Sequence, residues 1–410
     1  MSVAGGQAAD ATSDLAVRRD ERRAAGVACG AHALHDGLTD VIFVLLPIWQ
    51  REFGLGYAEV GVLRGLYAGT MATFQIPAAL LAERLGAAPV LALGTALAGI
   101  GYCLAGASTG FAFLLLALLV GGLGASAQHP LGSALMARAF AGPRSLKALG
   151  TYNFAGDIGK MTVPAATALL LTVMTWQPAV MLLGVAGLVS AAAIFLLTPR
   201  DGPESSAVAP TTTGTDGAPV GPVAVSRIAF PVLLSIGVID SATRMAFLTF
   251  LPFLLTAKGA SLPTIGLALT LVFAGGAAGK LVCAFIGARI GTFATVCLSE
   301  GLTAILILAL LPLSLEAGML LLPVIGVVLN GTSSVLYGTV PDLVAPERRT
   351  RAFSIFYTGS IGAGAVAPAL FGIIGDVLSV TAALIVVACV VLLTLPLALI
   401  LKPVLPARPC

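Results

Sequence analysis

The stretch from Pro199 to Arg227, "PRDGPESSAVAPTTTGTDGAPVGPVAVSR", is the longest loop that can be read from this sequence. It is rich in Pro, Gly, Ala and Thr and has no apolar periodicity, which is typical of a flexible linker. Long apolar runs lie on both sides of it. The stretch therefore predicts a chain that is divided near its middle into two parts.

The apolar runs have the length that a lipid bilayer requires. The chain has 410 residues, of which 58% are hydrophobic and only 10% are charged, with a mean hydropathy of +1.01. Soluble chains are about one quarter charged, whereas runs of roughly 20 apolar residues are expected of transmembrane helices. We predict an all-α membrane protein with twelve crossings, six on each side of the linker. The predicted crossings are 24–49, 57–82, 87–108, 110–139, 145–172, 177–198, 227–257, 262–288, 292–313, 316–343, 348–375 and 379–402.

These crossings and the polar intervals define the predicted segments of the chain. They are an N-terminal tail (1–23), a six-helix half (24–198), the linker (199–226), a second six-helix half (227–402) and a C-terminal tail (403–410). The N-terminal tail lacks the apolar core and the cleavage site of a signal peptide, so we expect an uncleaved first helix.

The basic residues predict how the helices are oriented. On this assignment nearly all Lys and Arg outside the crossings fall on the side that both termini share, and only Arg51 and Lys258 fall on the other side. The positive-inside rule then places both termini in the cytoplasm of a multi-pass protein of the cell inner membrane. The net charge of +3 follows from this asymmetry, and no basic run or surface indicates nucleic-acid binding.

Short matching segments indicate that the two halves are repeats of each other. Pro47 in "LLPIW" and Pro252 in "FLPFL" are 205 residues apart, and so are Gly86 in "AERLG" and Gly291 in "GARIG". A third match joins "GDIG" (156–159) to "GSIG" (359–362), and a proline follows each of them. The similar spacing predicts two pseudo-symmetric halves that arose by duplication.

The loop that contains the second match carries a recognisable motif. Glu83, Arg84 and Gly86 fit part of the pattern G-x-x-x-[DE]-R-x-G-[RK]-[RK], and Arg289 and Gly291 remain in the second copy. From about residue 24 onward the chain resembles the major facilitator superfamily of secondary transporters. The resemblance implies a cytoplasmic gate that involves Glu83, Arg84 and Arg289, and a protein that works as a monomer.

Three stretches are similar to the fosmidomycin-resistance branch of efflux transporters within that superfamily. They are "HALHDGLTDVIFVLLP" (32–47), "QHPLGSALMA" (128–137) and "YNFAGDIGKMTVP" (152–164). The resemblance implies efflux of a drug or metabolite by antiport.

The first crossing carries an unusual stripe of ionisable residues. His32, His35, Asp36 and Asp40 follow an i, i+3, i+4, i+8 pattern, which places them on one face of a helix. A charge at the centre of a bilayer costs at least about 2.5–3.5 kcal/mol, so this face should point into the protein. Histidine titrates near neutral pH and a desolvated carboxylate can join that range. We therefore predict that this stripe carries protons.

Further charged residues are predicted at similar depth on other crossings. Asp157 and Lys160 are spaced i, i+3, and Asp240 and Arg244 are spaced i, i+4. Because guanidinium and ammonium groups bind phosphate, phosphonate and carboxylate, we predict a hydrated chamber that binds an anionic or polar molecule. We assign Asp240 to proton coupling. The predicted substrate-binding residues are Arg64, His129, Asp157, Lys160 and Arg244.

A structural role is the alternative for these residues. The two spaced pairs would then be neutralised ion pairs that fasten helices, and Arg64 would reach the membrane surface along its apolar stem. His129 would hydrogen-bond a carbonyl that is freed by the kink at Pro130.

The predicted function is a proton-coupled secondary active transporter that moves a small anionic or polar organic molecule by alternating access, in the efflux direction. A proton-driven importer of an organic anion is the alternative. A membrane enzyme or sensor is disfavoured, because the sequence has no nucleophile elbow, HExxH, P-loop or cofactor fingerprint. The expected partners are the substrate, protons and the lipid bilayer, with no cofactor and no metal site.

Overall fold

The computed structural model describes residues 3–140, 143–198, 228–345 and 348–405. Within these residues the chain forms α-helices and short 3-10 turns and no β-strand, which confirms the predicted all-helical fold. The predicted linker, 199–226, lies outside the described residues. The helices are α1 (Val3–Phe53), α2 (Tyr57–Leu85), α3 (Ala87–Gly106), α4 (Phe111–Ala125), α5 (Gln128–Ala139), α6 (Pro143–Leu170), α7 (Trp176–Leu197), α8 (Ala229–Ala257), α9 (Leu262–Leu310), α10 (Leu315–Thr339), α11 (Arg349–Val377), α12 (Val380–Val391) and α13 (Thr394–Leu401).

Helix α1 is longer than the first predicted crossing. It begins at Val3 instead of residue 24, and its membrane-compatible part is Glu21–Phe53. The apolar run does begin near residue 24, but the preceding "RRDERR" consists mainly of good helix formers. A helix therefore continues through the polar tail, because helix propensity does not require apolar side chains.

Nine helical segments in the described part of the chain are long and apolar enough to cross a membrane. Helices α2 and α6 are not among them. One of the nine, Leu262–Leu310, is interrupted at Gly291, where the backbone leaves the helical region with φ +83° and ψ 163°. The protein is thus a multi-pass membrane protein, while twelve crossings stay a prediction.

Four glycines with positive φ extend the repeat that the sequence indicated. Among the described residues these are Gly54 (φ 64°), Gly86 (φ 89°), Gly259 (φ 87°) and Gly291 (φ 83°). Gly259 follows Gly54, and Gly291 follows Gly86, by the same 205 residues. Only glycine adopts this backbone region without a steric penalty. The two parts of the chain therefore turn with the same backbone geometry at equivalent positions.

The contacts of the chain define two compact units. Unit 1 contains residues 1–39, 73–160 and 177–211, and unit 2 contains residues 40–72, 161–176 and 212–410. The boundaries of these units fall inside α1, α2 and α6. The units therefore differ from the two predicted halves. The halves 24–198 and 227–402 stay a prediction.

In unit 1, helices α1 and α6 approach closely at glycines of α6. A Cβ atom added at Gly159 would lie 2.6 Å from the carbonyl carbon of Ala33, which is backbone and cannot turn aside. A Cβ atom at Gly156 would lie 2.5 Å from both Asp36 Oδ2 and His32 Nε2. Small residues at a helix interface allow this backbone approach. The two glycines thus bring α6 directly against the ionisable face of α1.

This contact predicts opposite effects for two glycine substitutions on the same helix. Gly159→Ala should lower the free energy of unfolding by about 1–3 kcal/mol, because the added methyl group overpacks the contact with α1. Gly150→Ala is the matched control, since nothing lies within 4 Å of its added Cβ. It should be neutral or should stabilise the helix by up to about 1 kcal/mol. Thermal unfolding in detergent measures both, and equal melting temperatures for the two variants would contradict the close contact.

In unit 2, the first turn of α2 is bound to the last turn of α11. Asp376 accepts hydrogen bonds from the backbone N–H groups of Tyr57 (2.5 Å) and Ala58 (2.9 Å). The first N–H groups of a helix have no partner within the helix, and they favour a negative charge. Further along α2, Gly61 and Gly65 lie directly against the backbone of α11. Segment 40–72 is therefore fastened to helices of the second predicted half.

Candidate functional site

The centre of the candidate site in unit 1 is the carboxylate of Asp36. Its Oδ2 lies 3.2 Å from Lys160 Nζ and 3.7 Å from His32 Nε2. Its Oδ1 lies 3.9 Å from Nε2 of both His35 and His129. Asp36 is only 4% exposed. We call these five residues the Asp36 cluster. Helices α1, α5 and α6 all contribute to it, and one carboxylate faces four basic groups.

The cluster contains all three histidines of the chain. The ring of His129 stands edge-on to the other two, with centroids 5.3 Å from His32 and 4.9 Å from His35. Tyr152 of α6 stacks on His32 with centroids 4.0 Å apart, and its hydroxyl donates a hydrogen bond of 3.2 Å to the carbonyl of Gln128. The stacked tyrosine thereby fixes the plane of the His32 ring.

The members of the cluster differ in how accessible they are. His32, His35 and Asp36 are buried, with relative exposures of 3%, 7% and 4%. The side chains of His129 and Lys160 are 42% and 30% exposed. The members of the cluster on α5 and α6 are thus partly exposed at the protein surface, while the members on α1 are buried.

Asp157 and Lys160 were predicted as a pair on one helix. Lys160 contacts the carboxylate of Asp36 on α1, and the buried Asp157 acts electrostatically on His32. Both residues therefore interact with the ionisable stripe of α1, as expected for a shared polar site.

Asp40 and Arg64 form a separate contact in unit 2. Arg64 Nη2 lies 3.7 Å from Asp40 Oδ1 and 3.9 Å from Met245 Sδ. The guanidinium carbon lies 4.7 Å from the centroid of the Phe43 ring, within the range of a cation–π interaction. Arg64 is only 4% exposed, so the guanidinium does not reach the membrane surface as the structural alternative proposed.

A second buried ionisable group in unit 2 joins α8, α9 and α10. The carboxyl groups of Asp240 and Glu300 act electrostatically on each other. Arg244 Nη1 lies 3.4 Å from Ser333 Oγ and acts electrostatically on both carboxyls. Asp240 and Glu300 are only 4% and 2% exposed. Two buried carboxyl groups thus interact with one guanidinium.

Glu300 was missing from the residues that the sequence assigned to the site. It lies near the middle of the second part of α9, and a carboxyl group in an apolar helix is itself a signal of function. Its partner Asp240 is 60 residues away in the sequence, so no helical spacing connects the two.

The residues of the predicted cytoplasmic gate are exposed. Glu83 and Arg84 lie in the last turn of α2 and make no ion pair with any residue that the structure describes. Arg289 lies 4.3 Å above the ring of Phe285 on its own helix. The charge pairing implied by the motif therefore stays a prediction.

Apolar helices whose ionisable side chains face each other instead of lipid are typical of proteins that move solutes or ions through a membrane. A sequence model described as Major Facilitator Superfamily matches residues 28–236 and 233–409. The chain therefore belongs to the major facilitator superfamily, whose members are transporters and not enzymes. No curated protein matches the sequence closely enough to be reported as a relative. The match is to the superfamily, so the fosmidomycin-resistance branch stays a prediction.

Solved structures of transporters have the same fold. The chain is similar to a bacterial homolog of the human lysosomal transporter Spinster in an inward-facing, occupied conformation. The TM-score is 0.77 at 14% identity, and the match covers 94% of this chain and 98% of that one. It is also similar to the nucleoside transporter NupG, with a TM-score of 0.74 at 13% identity over 94% and 99% of the two chains. At these identities the likeness establishes the fold alone.

Proposed function

We propose that this protein is a proton-coupled secondary active transporter. It moves a small anionic or polar organic molecule across the cell inner membrane by alternating access between two six-helix halves, and its physiological direction is efflux. The observation that carries the proposal is the Asp36 cluster, in which one buried carboxylate faces three histidines and a lysine on membrane helices. Membership of the major facilitator superfamily supports the transport of solutes.

Two buried groups support the coupling to protons. Histidine is the side chain that most readily changes its charge near neutral pH, and all three histidines of the chain surround Asp36. The carboxyls of Asp240 and Glu300 are both buried and act electrostatically on each other, and two interacting buried carboxyls disfavour simultaneous ionisation, so we infer that this pair can take up and release a proton. Burial penalises the charged form of a carboxyl group, so exchange of these protons would follow access to water.

The basic residues support an anionic or polar substrate. Lys160 keeps part of its side chain accessible while it contacts Asp36, and Arg244 makes a single long hydrogen bond to a serine hydroxyl. Guanidinium and ammonium groups bind phosphonates, phosphates and carboxylates by charge-assisted hydrogen bonds. We therefore propose efflux of an anionic drug or metabolite, as in the fosmidomycin-resistance branch.

The proposed topology has twelve crossings, both termini in the cytoplasm and a monomer as the working unit. Twelve crossings result when α2 and α6 are counted as crossings and the two parts of α9 are counted separately at Gly291. The charged residues Arg64, Asp157 and Lys160 are compatible with α2 and α6 crossing the membrane, because each of them has a partner within the protein.

The test begins with a susceptibility screen of deletion and overexpression strains against anionic antibiotics and metabolites. The compound found is then assayed in inverted vesicles with an imposed proton gradient. We expect uptake into inverted vesicles that a protonophore abolishes, and we expect Asp36→Asn together with Asp40→Asn to remove the proton flux. Uptake in right-side-out vesicles only would identify an importer. Transport that is unaffected by both the protonophore and the double substitution would contradict proton coupling.

A further inference from the structure

The arrangement of the three histidines has chemical consequences beyond proton transfer. His32 and Asp36 lie one helical turn apart on α1, and His129 joins them from the first turn of α5. Imidazole nitrogen and carboxylate oxygen are the ligands that zinc and neighbouring transition metals take in proteins. No metal site was predicted from the sequence, because the third residue belongs to a different helix.

The distances within this group are close to those of a metal centre. One ligand atom from each of His32, Asp36 and His129 can be chosen so that all three lie within 4.8 Å of one another. The nitrogen–oxygen distances are 3.7 Å from His32 Nε2 to Asp36 Oδ2 and 3.9 Å from His129 Nε2 to Asp36 Oδ1. Two atoms bound to one tetrahedral zinc ion at about 2.1 Å each lie about 3.4 Å apart. Side-chain rotations that shorten the separations within the group by up to about 1.4 Å would therefore close the site around an ion.

Polar atoms of the histidines lack hydrogen-bond partners. His32 Nδ1 and His35 Nε2 are buried and have no hydrogen-bond partner in the described part of the chain. His35 Nε2 points at Asp36 Oδ1 from 3.9 Å, which is too long for a hydrogen bond. A buried polar atom without a partner costs about 1–3 kcal/mol, and an ion bound at Asp36 would supply the missing interaction of His35 Nε2.

The surroundings favour a site that is held in place and still accessible. Tyr152 stacks on His32 and keeps its ring in one orientation. Lys160 Nζ lies 3.2 Å from Oδ2 of Asp36, while Oδ1 faces Nε2 of His35 and of His129, where an ion between the imidazoles would bind. The side chain of His129 is 42% exposed and provides an entry path from its side of the cluster.

We propose that His32, Asp36 and His129 form a binding site for a divalent transition-metal ion of the zinc class, with His35 beside it as a fourth donor. This inference goes beyond the proposed transport of an organic molecule. A protein that transports its substrate but binds no metal would contradict only this inference.

The test is a titration of the purified full-length protein in detergent, after removal of any affinity tag, with Zn²⁺ by calorimetry and with Co²⁺ by absorption. Because the chain has no histidine outside the cluster, imidazole binding reports on this site alone. We expect one ion per chain, with at least about tenfold weaker binding in His129→Ala and in Asp36→Asn. Cys29→Ser, one turn before His32 on the same helix, is the matched control and should bind as the unaltered protein does.

A second variant gives a gain of signal that does not depend on a loss of binding. His129→Cys should add a thiolate-to-cobalt charge-transfer band if residue 129 is a ligand, because the thiolate then binds the ion directly. The proposal is overturned if the unaltered protein binds no ion. It is also overturned if His129→Ala and His32→Ala both bind as tightly as the unaltered protein, or if Cys29→Ser alone removes the binding.

Discussion

Asp36→Asn is expected to reduce proton-driven transport at least about a hundredfold. The asparagine keeps the shape of the side chain but removes the charge that faces Lys160 and the three histidines. A positioned side chain that transfers a proton contributes about 10²–10⁴-fold to a rate, and an amide cannot replace a carboxyl group in that role, so the expected loss lies at the lower end of this range or above. Breaking a buried ion pair by removal of one partner also lowers stability by about 3–5 kcal/mol, with the lower value expected here because the side chain of Lys160 is 30% exposed. Proton flux into proteoliposomes in the presence of substrate is the measurement.

A second substitution separates a proton carrier from a structural ion pair. In Asp36→Asn combined with Lys160→Met, both charges of the Asp36–Lys160 contact are removed, so the melting temperature should return towards that of the unaltered protein. Coupling should stay absent if Asp36 carries the proton. Recovery of both stability and coupling would show that the pair only fastens α1 to α6. Glu52→Gln, which changes an exposed carboxylate on the same helix, is the matched control and should have no effect on either measurement.

Arg244→Ala is expected to lower the free energy of unfolding by about 3 kcal/mol and to abolish binding of an anionic substrate. The guanidinium is the positive charge that acts on both Asp240 and Glu300, and the two carboxyls are buried. Without it the pair loses the positive charge that acts on both carboxyls. Thermal unfolding and equilibrium binding of the substrate found in the screen measure the two effects.

A double substitution that removes one negative charge together with Arg244 is the control for this prediction. Adding Asp240→Asn to Arg244→Ala removes the uncompensated charge, so the stability should largely recover while substrate binding stays lost. No gain in stability on adding Asp240→Asn would contradict the proposed charge compensation. Arg51→Ala, at an exposed arginine in the last turn of α1, should change neither stability nor binding.

Spacing along one helix was enough to predict which neighbours share a face. The period of 3.6 residues placed His32, His35 and Asp36 together, and the structure brings all three into one cluster. The same rule suggested that Lys160 pairs with Asp157 and that Asp240 pairs with Arg244. In the structure Lys160 also contacts Asp36 on another helix, and Asp240 interacts with Glu300 as well as with Arg244. A helical period contains no information on which other helix lies opposite.

The sequence by itself determined the membrane class and the all-helical fold, while the two pseudo-symmetric halves stay a prediction. The class and the fold follow from composition and local backbone preference, since an apolar run of sufficient length must be helical in lipid and a glycine at positive φ marks a turn. Only the tertiary structure decided that His129 and Lys160 meet Asp36, and that Glu300 meets Asp240. Those contacts depend on how closely helices approach, as at Gly159 against Ala33, where the absence of one side chain sets the distance. Such packing is a property of several helices at once and is not contained in the period of any one of them.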